Sequence, residues 1–421
     1  MLSRSRTYFC LFFAMFLSFP LSSNVVKFLD EAVILLMLAF AVVDSIASGN
    51  FRRYKGLWIC TAVMMGYVVY SIAIHSNAVS SILSDGLIQM KPFISFFVAY
   101  GAARNFTPRM KSTLKSVSVV WAIIMVCLLI NPRMASAVLG HVFYAGCTCM
   151  LCVCVYLLCS VREDGSVSTN DKFVVLAMLA GGLLCTRSKY YGEVVLMLYF
   201  LFLYRPGVMK NVKPMQIVIF CLVIAVALLV TWKKISYYFL TGNSASFDRT
   251  TLHTFARPVL YATAALILLK YPWFGSGLAS YATYASMEPY SKTYAEFGID
   301  QVWGLSREFP DFICDVFYAE LAQFGFVGVV LFIAFFVFIW KRLRMALHDR
   351  GRLTFGIGAS LVAFVLIEAV ASTMPIQGGG EFAMMILGVI CAEYRTMTKA
   401  EQKELLQSPY PQMGEAVAIV K

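Results

Sequence analysis

Charge is scarce in this sequence. Only 14% of its 421 residues are Asp, Glu, Lys or Arg and 60% are hydrophobic, whereas a soluble domain carries roughly 25% charged and about 45–50% apolar residues. With a mean hydropathy of +0.75, that shortage excludes a soluble globular chain and implies a polytopic membrane protein. Other absences narrow the chemistry. There is no Gly-rich Walker-type Lys motif, and the one long polar interval holds no Asp-x-Asp clamp, so neither ATP, a nucleotide sugar, a metal nor any other cofactor is expected. No internal repeat of the kind found in secondary transporters is present. No basic patch with interleaved aromatics sits on a soluble stretch. The net charge of +12 therefore sets topology rather than binding nucleic acid.

Cysteine, by contrast, is plentiful. Five of the twelve, Cys147, Cys149, Cys152, Cys154 and Cys159, fall in one apolar run. They are expected to behave as small buried hydrophobes, because nothing polar accompanies them to hold a metal.

A crossing needs about 20 mainly apolar residues. On that rule the chain is expected to be all-α with about twelve spans, at 7–23, 26–47, 57–75, 82–103, 114–131, 137–160, 173–187, 190–204, 215–231, 312–340, 354–372 and 381–397. The run after Arg4 and Arg6 resembles a signal peptide but is expected to stay as the first helix. Residues 1–231 then form about nine spans, 232–311 a large loop with short helices, 312–397 three more spans and 398–421 a tail. Lys and Arg concentrate in alternate links, at Arg52, Arg53 and Lys55, at Arg109, Lys111 and Lys115, and at Lys341, Arg342 and Arg344. The expected topology therefore has both termini cytoplasmic and the loop facing outward. Three ionisable sites within spans need a reason. Lys91 is expected either to snorkel, to pair with Asp85 or to serve function. Asp30 and Glu31 near one span end, and Glu368 near another, are similar.

The loop opens with Lys233 and Lys234 and closes with Arg307, Glu308 and Asp311. An apolar run from Val259 to Leu269 is too short to span and reads as a surface helix, with Arg257 and Pro258 at its start and Pro272 as its stop. Gly275 and Gly277 then allow a tight turn whose backbone N–H groups could approach an anion.

Arg257, Tyr261 and the segment Pro272-Trp273-Phe274-Gly275-Ser276-Gly277 resemble the signature of the bacterial O-antigen ligase and polymerase superfamily, with Tyr261 in the place of a Trp. Asp315-Val316-Phe317-Tyr318-Ala319-Glu320, with Gly325 and Gly328 beyond it, is similar to the family's segment after the loop. Asp315 stands where ligases carry His, as polymerases often do. Thr186-Arg187-Ser188-Lys189 resembles the family's hairpin motif, with Lys189 for Arg. The likeness covers the back half of the chain.

The resemblance implies a metal-independent glycosyltransferase that joins polyprenyl-pyrophosphate-linked oligosaccharides at the periplasmic face, with a chain-length regulator and a flippase as companions. The polymerase branch is preferred. A ligase transferring the glycan to a lipid A-core acceptor is the first alternative and a flippase the second. The departing pyrophosphate needs cations or N–H donors placed beforehand, and the acceptor hydroxyl needs a base. Arg257 is the first candidate for the pyrophosphate, joined by Arg249, Arg187, Lys189, Gly275 and Gly277. Each cation could instead anchor lipid headgroups. Asp315 is the candidate base or orienting group, with a helix-dipole role as its alternative; on a helix it would share a face with Tyr318. His253 is a second candidate base. Glu308, Asp311, Tyr318 and Tyr261 are candidate acceptor or sugar ligands.

Overall fold

The computed structural model describes residues 4–21, 26, 28–103, 106–162, 165–204, 256–395, 397 and 399–407. The expected span at 215–231, the loop's opening at Lys233 and Lys234, Arg249 and His253 lie outside the described residues. Among those described, the chain is helical throughout, with no strand. In order, α1 is Arg4–Ser18, α2 Leu29–Ser48, α3 Lys55–Ala73, α4 Val79–Ala102, α5 Pro108–Ile130, α6 Pro132–Leu139, α7 Phe143–Ser160, α8 Thr169–Gly182 and α9 Ser188–Leu198. After the undescribed interval come α10 Ala256–Lys270, α11 Lys292–Glu296, α12 Phe317–Glu320, α13 Gly325–Arg350, α14 Arg352–Glu368, α15 Gly378–Cys391 and α16 Lys399–Gln407. Six helical stretches among the described residues are long and apolar enough to cross a membrane: 29–48, 51–73, 79–102, 108–130, 143–160 and 317–350. The protein is a multi-pass, all-α membrane protein.

Local chemistry places the boundaries. Thr107 caps α5 by accepting the Met110 N–H at 3.3 Å, and Pro108 opens the helix. Asn131 does the same for α6 toward Met134, with Pro132 following; a side-chain acceptor followed by Pro is a strong helix start. That second cap and Gly140 split the expected span at 137–160: the crossing helix begins only at Phe143, and His141 lies in the turn before it. α8 and α9 have 14 and 11 residues, each short of the ~20 a crossing needs, and they form the expected hairpin.

α4 is the central helix, packed on α2, α3 and α15 and buried over most of its length. At Gly388 on α15 an added Cβ would lie 2.5 Å from the Phe96 carbonyl oxygen, so glycine permits a backbone-to-backbone approach there. Phe12, Phe16, Phe19 and Phe382 stack into the same core.

Lys91 does not pair with Asp85. Its Nζ lies 2.6 Å from Glu31, 3.3 Å from Glu381 and 3.6 Å from Asp30. One ammonium thus meets three carboxylates from the first turns of α2 and α15. Asp85 instead holds the loop, because its Oδ2 accepts the Ala279 N–H at 2.7 Å. Around it, Asn77 donates to the carbonyls of Ala279 (2.8 Å) and Pro289 (3.0 Å). Ser71 accepts the Leu278 N–H, and Ser76 donates to the Leu278 carbonyl, each at 2.8 Å. Ala279 sits at φ +57°, a left-handed conformation costly for a residue with a Cβ, and these bonds on either side of it hold it there. From α10 to residue 322 the loop encloses an apolar core of its own, centred on Tyr281, Tyr294, Leu305, Ile313 and Val316.

Lys91→Met should lower stability by roughly 3–5 kcal/mol, because it strands buried carboxylates. Adding Glu381→Gln should restore part of that loss. Melting of the detergent-solubilised single and double variants checks this; strict additivity would show that the two groups do not interact.

Candidate functional site

The candidate site forms where α10, the start of α12, the C-terminal end of α14, the α8–α9 hairpin and the turn before α7 meet. Arg257 lies in the first turn of α10, and its Nε donates to Asp315 Oδ2 at 2.9 Å; both side chains stay partly exposed. Asp315 is not on a helix with Tyr318, because α12 begins at Phe317 after an extended Val316. The shared helical face is therefore replaced by an extended approach that turns Asp315 toward Arg257. Two phenols fix these pieces to the end of α14. Tyr261 donates to the Val370 carbonyl at 2.6 Å and Tyr318 to the Leu366 carbonyl at 2.7 Å. Between them the Phe317 N–H reaches the Ala369 carbonyl at 3.2 Å.

Glu368, the last residue of α14, brings in the hairpin. Its Oε2 accepts from Lys189 Nζ at 2.7 Å, and its carboxylate is almost wholly buried. Ser372 also donates to it at 3.4 Å, and the buried Glu193 of α9 lies close to it. Lys189 lies over the Phe143 ring, 5.3 Å from its centroid. The hairpin corner is Thr186 at φ +53°, an uncommon conformation for a residue with a branched Cβ. It reverses the chain so that Arg187, the residue before α9, and Lys189, in its first turn, point into the same region.

His141 completes the group. Its Nε2 is 2.9 Å from Arg187 Nη2, and its Nδ1 faces the Phe143 N–H at 3.1 Å. A neutral imidazole can accept from one of these donors, whereas an imidazolium could accept from neither. Burial, then the charges of Arg187 and Arg257, pushes the His141 pKa below its ordinary value, with Asp315 opposing and Lys189 adding to the effect. The ring is therefore neutral at pH 7. Arg187 Nε is buried and has no partner among the described residues. Three cations, Arg187, Lys189 and Arg257, thus stand with three acidic residues, Asp315, Glu368 and the buried Glu193.

The structure brings together Arg257, Asp315, Arg187, Lys189, Tyr261 and Tyr318 of the residues expected from sequence. It does not bring in Gly275 and Gly277 as anion donors. Gly275 N–H bonds the Tyr271 carbonyl at 3.1 Å and Gly277 N–H the Gln323 carbonyl at 3.0 Å, so both donors are already used. An added Cβ at Gly275 would sit 2.3 Å from the Gln323 backbone; the glycines let two chain segments touch. Glu308 and Asp311 are exposed and make no ion pair with the described residues. Sequence reasoning missed His141, absorbed into an over-long span, and Glu193. It noted Glu368 without linking it to Lys189. The Asn131-Pro132 start signal and Gly140 could have exposed the turn that carries His141.

No protein-family model matches the chain, and no curated protein matches its sequence.

Because the folded protein favours neutral His141, the stability this contributes is present above the ordinary histidine pKa of about 6.5 and is lost as pH falls through the lowered folded value. Wild-type melting temperature should therefore drop below about pH 6.5 more steeply than that of His141→Gln. Parallel curves would remove His141 from the electrostatics of the site.

Proposed function

We propose that this chain is an inner-membrane glycosyltransferase that polymerises polyprenyl-pyrophosphate-linked oligosaccharide repeats on the periplasmic face. The observation that supports this reading is the convergence of Arg187, Lys189 and Arg257 from separate elements, with a buried Arg187 N–H left unpartnered. Such an array suits a diphosphate. It presents preorganised charge where negative charge grows, which lowers the barrier without reorganisation, and guanidinium forks can grip two oxygens at once.

In this reading the donor's pyrophosphate takes Arg257 away from Asp315. The acceptor oxygen forms a bond to the anomeric carbon while the bond from that carbon to the pyrophosphate oxygen breaks, and the lipid pyrophosphate leaves with the electron pair. The acceptor's proton passes to Asp315, released from its ion pair; neutral His141 is a second acceptor for it within the same charge field. Tyr261 and Tyr318 fix the frame through α14 instead of touching sugar. The resemblance to polymerases, with Asp315 in place of the ligase His, favours chain growth over transfer to a lipid A-core acceptor. The Lys189–Glu368 and Arg257–Asp315 pairs tie separate elements into one static cluster, which suits catalysis better than transport.

Purified protein given a defined lipid-linked repeat should build a ladder of longer products. Arg257→Ala should lower turnover by about 10²–10³-fold at unchanged protein level, and Arg257→Lys should recover little of it. Asp315→Asn and His141→Asn, compared across pH, identify the proton acceptor as the one whose loss removes the acid limb of the rate profile. One transfer to lipid A-core would indicate a ligase, and lipid translocation without elongation a flippase.

A further inference from the structure

Residues 300–313 form a compact surface loop outside the ionic site, with Trp303 63% exposed. An indole so open to solvent is usually folded inward or set against a partner, yet here it is held outward on a rigid base. Phe309 stacks beneath it, 5.2 Å between ring centroids at 24°, and Phe312 meets its edge at 5.0 Å and 63°. The loop is closed by the Phe312 N–H bonding to the Gly304 carbonyl at 2.9 Å. Gly304, at φ +85°, leaves room for the Phe312 ring, which a Cβ would meet at 2.1 Å. Below, Val302, Leu305 and Ile313 are buried in the loop's core, and Tyr290 donates to the Leu305 carbonyl. The platform is preorganised, so a ligand would not have to order it.

The charges around it indicate what it faces. Asp300, Glu308 and Asp311 outnumber Arg307, and Glu308 and Asp311 are exposed, with no ion pair to a described residue. That sign disfavours an anionic lipid surface or a nucleic acid, both of which call for Lys and Arg. Carboxylates with free lone pairs around an aromatic face instead suit a hydroxyl-rich ring. Its C–H face lies on the negative face of the indole, and its hydroxyls donate to Glu308 and Asp311. Phe312 is three residues from Asp315, at most about 11 Å of extended chain, so a glycan lying on the platform can lead directly to the ionic site.

We infer that Trp303, with Glu308 and Asp311, forms a sugar-binding platform that holds the growing polysaccharide beside the site. This deepens the polymerase reading and rests on it for the identity of the glycan, but binding can be measured without turnover. The probe is oligosaccharide released by mild acid from the producing cell's own surface polysaccharide. Saturation-transfer NMR on the purified full-length protein in nanodiscs reads its affinity, while product sizing reads chain length. Trp303→Ala should weaken binding roughly three- to ten-fold, the scale of one aromatic contact, and should shorten products without lowering the rate of first addition. Trp303→Phe should preserve most of both. If wild type binds the oligosaccharide through Trp303 but elongates nothing, the platform stands and the polymerase reading falls. If elongation proceeds and Trp303→Ala leaves binding and product length unchanged, the platform is overturned. A Trp303→Ala variant that binds sugar normally but dissociates more readily from zwitterionic vesicles would make the residue a membrane anchor and also overturn it.

Discussion

Asp85 accepting the Ala279 N–H is the contact on which the rest of the loop's architecture hangs. A loop folded against a helical bundle must satisfy its inward-facing peptide groups, since each one buried without a partner costs about 1–3 kcal/mol. α4 and the residues leading into it meet that demand with a row of polar side chains. Asn77, Ser81 and Asp85 each bond loop backbone, and Gln89 below them bonds Glu320. On α3, Ser71 bonds loop backbone, and Tyr67 bonds the Phe324 carbonyl where the loop leads into α13. With the stretch of chain from Leu278 to Ala285 seated on this row, the segment ending at Asp315 is brought back over the bundle to meet Arg257.

Two charge clusters then stand apart in the protein. On α4, one lysine is surrounded by three acids. At the candidate site, three cations stand with three acids and a neutral histidine. Groups withdrawn from water persist only when paired, so each cluster needs its counter-charges. The acidic excess around Lys91 occurs among helix first turns, where backbone dipoles favour carboxylates. At the site the buried Arg187 Nε, without a partner among the described residues, leaves a donor with capacity for an anion.

Much of this was legible from residues alone, and the failures have physical causes. Long apolar runs outlined the helices, because a crossing of fixed thickness imposes their length. The dominant loop, Arg257 and the Arg187–Lys189 corner stood out because polar groups are so rare here, and Asp315 through the resemblance of its segment to the family's. Pairing did not. Lys91 and Asp85 lie six residues apart on one helix, which suggested a bond, yet Lys91 found carboxylates from α2 and α15, far away in sequence. Gly275 and Gly277 advertised room without saying what would fill it; backbone of Ala322 and Gln323 does so at Gly275, and Ser71, Ile74 and Ser76 do so at Gly277. His141 was hidden because hydropathy averages across a turn when apolar residues flank it.

The grip of Tyr261 and Tyr318 on α14 has a bearing on motion. Two phenolic hydroxyls and one amide hold the carbonyls of Leu366, Val370 and Ala369 within a single turn, while Lys189 holds the neighbouring carboxylate. Rotating or sliding that helix by even one residue would unfasten four latches together and scatter the cations they align. Such a scaffold resists the rocking by which carriers expose a cargo first to one compartment and then to the other.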